Sequence, residues 1–190
     1  MASPFTHAVV AAAIGDAGKP AWHKDWRYWA VVIACSILPD IDSIGFHLGV
    51  RYGALWGHRG MTHSLLFAFI VAIFAAMVLD GRFHWQWRLA IVFFLVMLSH
   101  GVLDAMTNGG LGVAFFSPFN TRRYFLPWRP IPVSPIGVGS FFTAHGLYIL
   151  YSEILLIWCP TIIVLAIIRV ARGLRRMSQP EANPLSNDPG

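Results

Sequence analysis

Charge is what this chain has least of. Only 12% of its 190 residues are Asp, Glu, Lys or Arg, against roughly 25% in a soluble domain. That shortage argues first against a water-soluble globule. Cysteine is also scarce: Cys35 and Cys159 lie far apart, each inside an apolar run. They read as small core hydrophobes, not as a disulfide or a zinc pair. No CxxC, CxxCH, HExxH or GxSxG occurs. A zinc ribbon, a c-type haem, a zincin-type protease and a nucleophile-elbow serine hydrolase therefore lack their signatures. The first residues, Met1 to His7, lack the basic start of a signal peptide, so membrane insertion is expected from internal helices.

What is present is grease. Hydrophobic residues make up 56% of the chain and mean hydropathy is +0.59, which points to a membrane protein of one domain. The net charge of +5 is spread through loops, apart from Arg169, Arg172, Arg175 and Arg176 after the last apolar run. Such a group marks a cytoplasmic flank, and no nucleic-acid partner is expected.

Apolar periodicity predicts helices over residues 4–14, 26–38, from the 62–64 turn to 79, 87–106 and 144–170. Pro39 is expected to end the second and Pro160 to kink the fifth. The fold class is thus an all-α membrane protein of about five helices, four to five of them spanning. Residues 1–177 form the embedded domain, and 178–190 read as a disordered tail. A Gly-rich loop is expected over 45–60. A long aromatic loop over 108–139, joining the fourth helix to the fifth, reads as a lid or a membrane-interface platform.

The polar chemistry sits at the ends of the apolar runs. It comprises Thr6-His7, Pro39-Asp40-Ile41-Asp42, His58-Arg59-Gly60-Met61-Thr62-His63-Ser64, and Ser99-His100 with Asp104. Helices of alternating direction bring all four clusters to one side of the membrane. Nine of the fourteen Lys and Arg residues then lie on the opposite side. This predicts a cytoplasmic C-terminus and a site facing outside.

His and Asp are donors for a hard-to-borderline metal ion, and ionisable groups at membrane depth are usually functional. His100 and Asp104, four apart, share a helix face. They suit two ligands of one ion, or a simple structural hydrogen bond. Asp40 and Asp42 point the same way if the backbone is extended. Asp40 is read as a ligand; Asp42 is a ligand or an Asx turn. Thr62 is expected to cap the third helix, which puts His63 in its first turn. Arg59 can hold a phosphoryl group or a lipid headgroup. Ser64 and Ser99 read as packing or supporting groups, and His23, His47, His84 and His145 as interfacial residues. Glu153, alone in the fifth helix, is a ligand, a partner for a His or a proton carrier.

Together and in this order, these elements resemble the YdjM-like family of inner-membrane, membrane-bound metal-dependent hydrolases. The resemblance covers roughly the first 110 residues. It implies metal ligation by His7, Asp40, Asp42, His63, His100 and Asp104, with His58 and Arg59 near the reacting atoms. The expected function is hydrolysis of a phosphoester of a lipid or lipid-linked substrate, using one or two divalent ions, zinc first. Asp42 or His58 would take a proton and Arg59 would stabilise charge. The alternatives are an ion or proton transporter and a regulatory protein with a structural metal.

Overall fold

The computed structural model describes residues 1–19, 25–80, 86–134 and 142–178. His23, His84 and all of the expected tail but Ser178 lie outside them. Among the described residues the fold is all helical, with no named strand, and forms five rods. The first is α1, Pro4–Gly18. The second joins α2, Trp26–Ile37, to a 3-10 turn, Leu38–Ser43, and to α3, Ile44–His47. The third and fourth are α4, Leu65–Asp80, and α5, Trp87–Ala105. The fifth runs through α6, Ala144–Glu153, a π segment, Ile154–Trp158, and α7, Cys159–Met177.

Among the described residues, three rods are long and apolar enough to cross a membrane: Trp26–His47, Trp87–Ala105 and Ala144–Arg175. Leu65–Leu79 is apolar but shorter. The α-helix ends just before Pro39, as expected, but the rod continues as the 3-10 turn from Leu38, with the proline in its first turn, where its missing N–H has no partner to lose. Asp40 and Asp42 are therefore helical, not extended. Around Pro160 the continuous fifth rod departs from α geometry: the π segment Ile154–Trp158 lies one turn before the proline, where its ring would otherwise meet an α-helical carbonyl.

Between helices in lipid there is little hydrophobic driving force, and close packing needs small residues. Ala68, Ala72 and Ala76 supply them, four apart on one face of α4. They pack in one cluster with Leu89, Phe93 and Val96 of α5 and Val32 of α2. The outer faces carry Phe69, Phe74, Ile163 and Ile167, all more than half exposed, as lipid contact requires. Cys159 is exposed on the same kind of face, and only Cys35 is a core residue. The far end is tied by an ion pair, Arg169 Nη2 to Asp16 Oδ1 at 2.9 Å. Arg172 also donates to the Ala17 carbonyl at the end of α1, where a cation is favoured.

Candidate metal centre

All four sequence clusters meet at one end of the bundle. The 3-10 turn brings Asp40, the Met61–His63 turn brings His63, and α5 brings His100 and Asp104. Each offers one atom within 4.8 Å of the others. His63 Nε2 lies 3.2 Å from His100 Nε2, 3.7 Å from Asp40 Oδ1 and 3.6 Å from Asp104 Oδ2. His100 Nε2 lies 3.5 Å from Asp40 Oδ1. Four donors about 2.0–2.2 Å from one ion stand roughly 3.3–3.6 Å apart in a tetrahedron. The spacing fits a single cation.

The far nitrogens of both imidazoles are already engaged. His100 Nδ1 lies 2.7 Å from the Ser36 carbonyl, which can only accept, so Nδ1 carries the proton. His63 Nδ1 lies 3.2 Å from Asp42 Oδ2. Each ring thus turns an Nε2 lone pair inward, the arrangement that orients metal-binding histidines. Two lone pairs facing at 3.2 Å repel unless a positive charge sits between them. Burial alone would lower the pKa of His63. Contacts with Asp104, Asp40 and Asp42 outweigh burial and hold it well above the ordinary histidine value. In the metal-free protein a proton on His63 supplies part of that charge.

Asp40 and Asp104 turn carboxylates to the gap between the two imidazoles, and Asp42 backs His63 from its other edge. Carboxylates beside neutral imidazoles are donors suited to a divalent cation. Among the described residues, Asp40 Oδ1 and both ring nitrogens of His7 are buried without a hydrogen-bond partner. Such groups cost about 1–3 kcal/mol each when nothing satisfies them. The donors therefore fit a bound divalent ion. His7 stands beside the four, stacked on His100 with centroids 3.7 Å apart. Its Nε2 is 3.4 Å from Asp104 Oδ1.

Asp42 stands behind His63. Its oxygens accept from Thr62 Oγ1 at 2.5 Å and the Arg59 amide at 3.1 Å, and meet His58 Nδ1 at 2.7 Å as well as His63 Nδ1. Asp40 and Asp42 thus flank opposite edges of one imidazole. Thr62 is spent on Asp42. The α4 cap is instead Ser64, whose Oγ accepts from the Phe67 amide at 3.1 Å, and His63 precedes that helix. Ser99 Oγ donates back to the Val96 carbonyl and takes no part in the site.

Arg59 points inward and is fully buried. Its Nε donates to Asp104 Oδ2 at 2.9 Å, Nη1 to the Gly109 carbonyl at 3.0 Å and Nη2 to Thr107 Oγ1 at 2.9 Å. Its φ of 61° is a left-handed value that costs a non-glycine residue about 1–3 kcal/mol. The Ala114 amide bonding to its carbonyl helps hold it there. Thr107, the Ser36 carbonyl and Gly109 carry no recognisable metal-site signal in the sequence. A backbone acceptor never does, and Thr107 reads as an ordinary helix-end residue.

The loop after α5 is fastened over this end by backbone bonds, including Leu65 to Phe115 and Leu126 to Ala105. Arg123 reaches from it to the carbonyls of His58, Tyr52 and Ala54. Phe119 and Trp128 of this loop are exposed. His47 and His145 are exposed outside the cluster.

Two positions give direct tests of this architecture. A Cβ on Gly60 would lie 2.3 Å from the Leu55 carbonyl, which is itself held by the Met61 amide. Backbone cannot yield there, so Gly60→Ala is expected to destabilise by about 3 kcal/mol or more. A melting curve in detergent checks this; a wild-type Tm would refute it. Glu153 is buried and caps α1. It accepts from the Ser3 amide at 2.7 Å, from Ser3 Oγ and from Thr6 Oγ1 at 2.8 Å. Trp158 Nε1 closes the clasp on Thr6. Next along the chain, the Ala2 amide donates to Asp104 Oδ1 at 2.9 Å. Glu153→Ala strands these donors and is expected to cost about 2–3 kcal/mol, with Glu153→Gln losing less. Equal melting of both variants and wild type would count against the clasp.

The YdjM inner membrane protein family matches residues 1–176. The chain belongs to that family. It is 34% identical to the Escherichia coli (strain K12) inner membrane protein YbcI over 175 residues, covering 88% of this chain and 97% of that one. No solved structure matches it. Membership and the three candidate spans make it a membrane protein of inner-membrane type.

Proposed function

We propose that this family member is a divalent-metal-dependent hydrolase acting on a phosphoester of a lipid or lipid-linked substrate. The observation that carries the reading is the quartet of Asp40, His63, His100 and Asp104 at one-ion spacing, with both histidines oriented from behind. Bound there, a divalent ion, zinc first, supplies Lewis acidity and lowers the pKa of a coordinated water to about 7. Asp42, held by four partners, fixes His63, and His58 braces Asp42. Arg59 holds Asp104 in place instead of reaching for substrate. His7, with both ring nitrogens free and Asp104 beside it, is the base placed to accept a proton. The exposed Arg51, Arg122 and Arg129 of the outer loops draw anionic headgroups towards this face. The positive-inside count supports a site facing outside and a cytoplasmic C-terminus.

One observation favours a second reading. Four protein donors complete a tetrahedron, which is the mark of a structural ion. Cobalt substitution separates the two, since a closed four-coordinate site and a site with added water have different geometries and spectra. The activity test is a panel of phosphatase and phospholipase substrates on metal-loaded protein and on His63→Ala. Turnover that needs His63 supports the hydrolase. A loaded, water-free, four-coordinate site with no turnover on the panel supports the structural ion.

A further inference from the structure

Access to the four donors is uneven. The side chains of His63, His100 and Asp104 are at most 1% exposed, while that of Asp40 is 11% exposed. Asp40 also lines a groove of about 500 Å³ together with Ala34, Ile37, Leu38, Ile41 and Ile44. These five apolar residues belong to the membrane-spanning rod Trp26–His47. Ile37, Ile41 and Ile44 are about half exposed, and on a spanning rod such a face meets hydrocarbon. The 3-10 turn turns Asp40 inward and leaves Ile41 on the lipid side. Apolar wall and metal-site carboxylate therefore meet within a single turn of chain.

We propose that this groove is an acyl-chain subsite through which a membrane lipid enters sideways from the bilayer, its head delivered to Asp40. The identity of the head rests on the phosphoester reading above; the chain subsite rests on the groove. The volume falls within the roughly 300–1,000 Å³ of ligand pockets. The lining is mostly apolar, with polar groups from Asp40, Ser43 and Met1 beside it, and a hydrocarbon tail needs no hydrogen bond from such a wall. A tail moving from bilayer to groove exchanges one apolar surrounding for another, so little affinity is gained. What the groove selects is chain shape and length.

Photolabelling tests this. The full-length, metal-loaded protein is placed in phosphatidylglycerol vesicles with a trace of phosphatidic acid carrying a diazirine on its acyl chain. Labelling is expected to be about fivefold higher at Ile37, Ile41 and Ile44 than at Phe74 and Val78, which are more exposed on α4. It is expected to fall to the α4 level in Ala34→Trp, which fills the groove. Ile41→Trp, at the exposed rim, repeats the test without disturbing the core, and retained metal content certifies both variants. Equal labelling of the two faces, or labelling that neither tryptophan reduces, overturns the subsite. A diacylglycerol probe with the same chain separates the two ideas. Preference for phosphatidic acid supports both, while equal groove labelling by the two probes keeps the chain subsite and contradicts the phosphoester reading.

Discussion

Arg59→Met is expected to destabilise the protein by about 3–5 kcal/mol, the cost of leaving a buried charge without its partner. Asp104 is held by the Arg59 guanidinium and the Ala2 amide, with His63 Nε2 3.6 Å away. Removing the guanidinium raises the unbalanced charge of the cluster and also takes a donor from the Gly109 carbonyl and from Thr107 Oγ1. Arg59→Lys is expected to rescue little, because a single ammonium cannot reproduce three donors fanned in a plane. The double variant Arg59→Met/Asp104→Leu is expected to be less damaged than Arg59→Met, although it can hold no metal in this site. Detergent melting of the metal-free proteins measures this. A wild-type Tm for Arg59→Met would show that the guanidinium is not tied as described.

The second large effect concerns the ion. His63→Ala removes the donor that touches every other member of the quartet, and metal affinity is expected to fall by at least about 100-fold. Purified wild type should retain about one divalent ion per chain, and the variant almost none. Affinity should also depend on pH in a fixed direction. Neighbouring carboxylates raise the pKa of His63, so at neutral pH the metal-free ring carries a proton that the ion must displace. Binding then strengthens as pH rises and weakens about tenfold per unit as it falls below that pKa. Isothermal titration in two buffers of different ionisation heat would show proton release. Uptake without it would contradict the raised pKa.

Much of this site was legible because its residues break the grain of the sequence. His and Asp at the ends of apolar runs are conspicuous, and alternating helix direction places His7, Asp40, His63, His100 and Asp104 at one end without any knowledge of packing. What could not be read was direction at the scale of a side chain. Pro39 looks the same whether it ends a helix or opens a 3-10 turn. Only the turn places Asp40 and Asp42 on opposite edges of His63. Arg59, expected to face substrate, instead faces Asp104, because Thr107 and Gly109, some fifty residues away, supply its acceptors. Glu153, a lone acid in an apolar helix, looks like a proton carrier; its partners at Ser3 and Thr6 lie about 150 residues back. Such long-range pairings leave no local pattern to recognise.

X-ray absorption at the edge of the co-purified metal tests the central claim most directly. The expected result is one divalent ion per chain, with two imidazole nitrogens and oxygen ligands at about 2.0–2.2 Å and no sulfur, and a spectrum altered in His100→Ala. Sulfur in the coordination sphere, a spectrum that His100→Ala leaves unchanged, or purified protein that binds no divalent ion would contradict it.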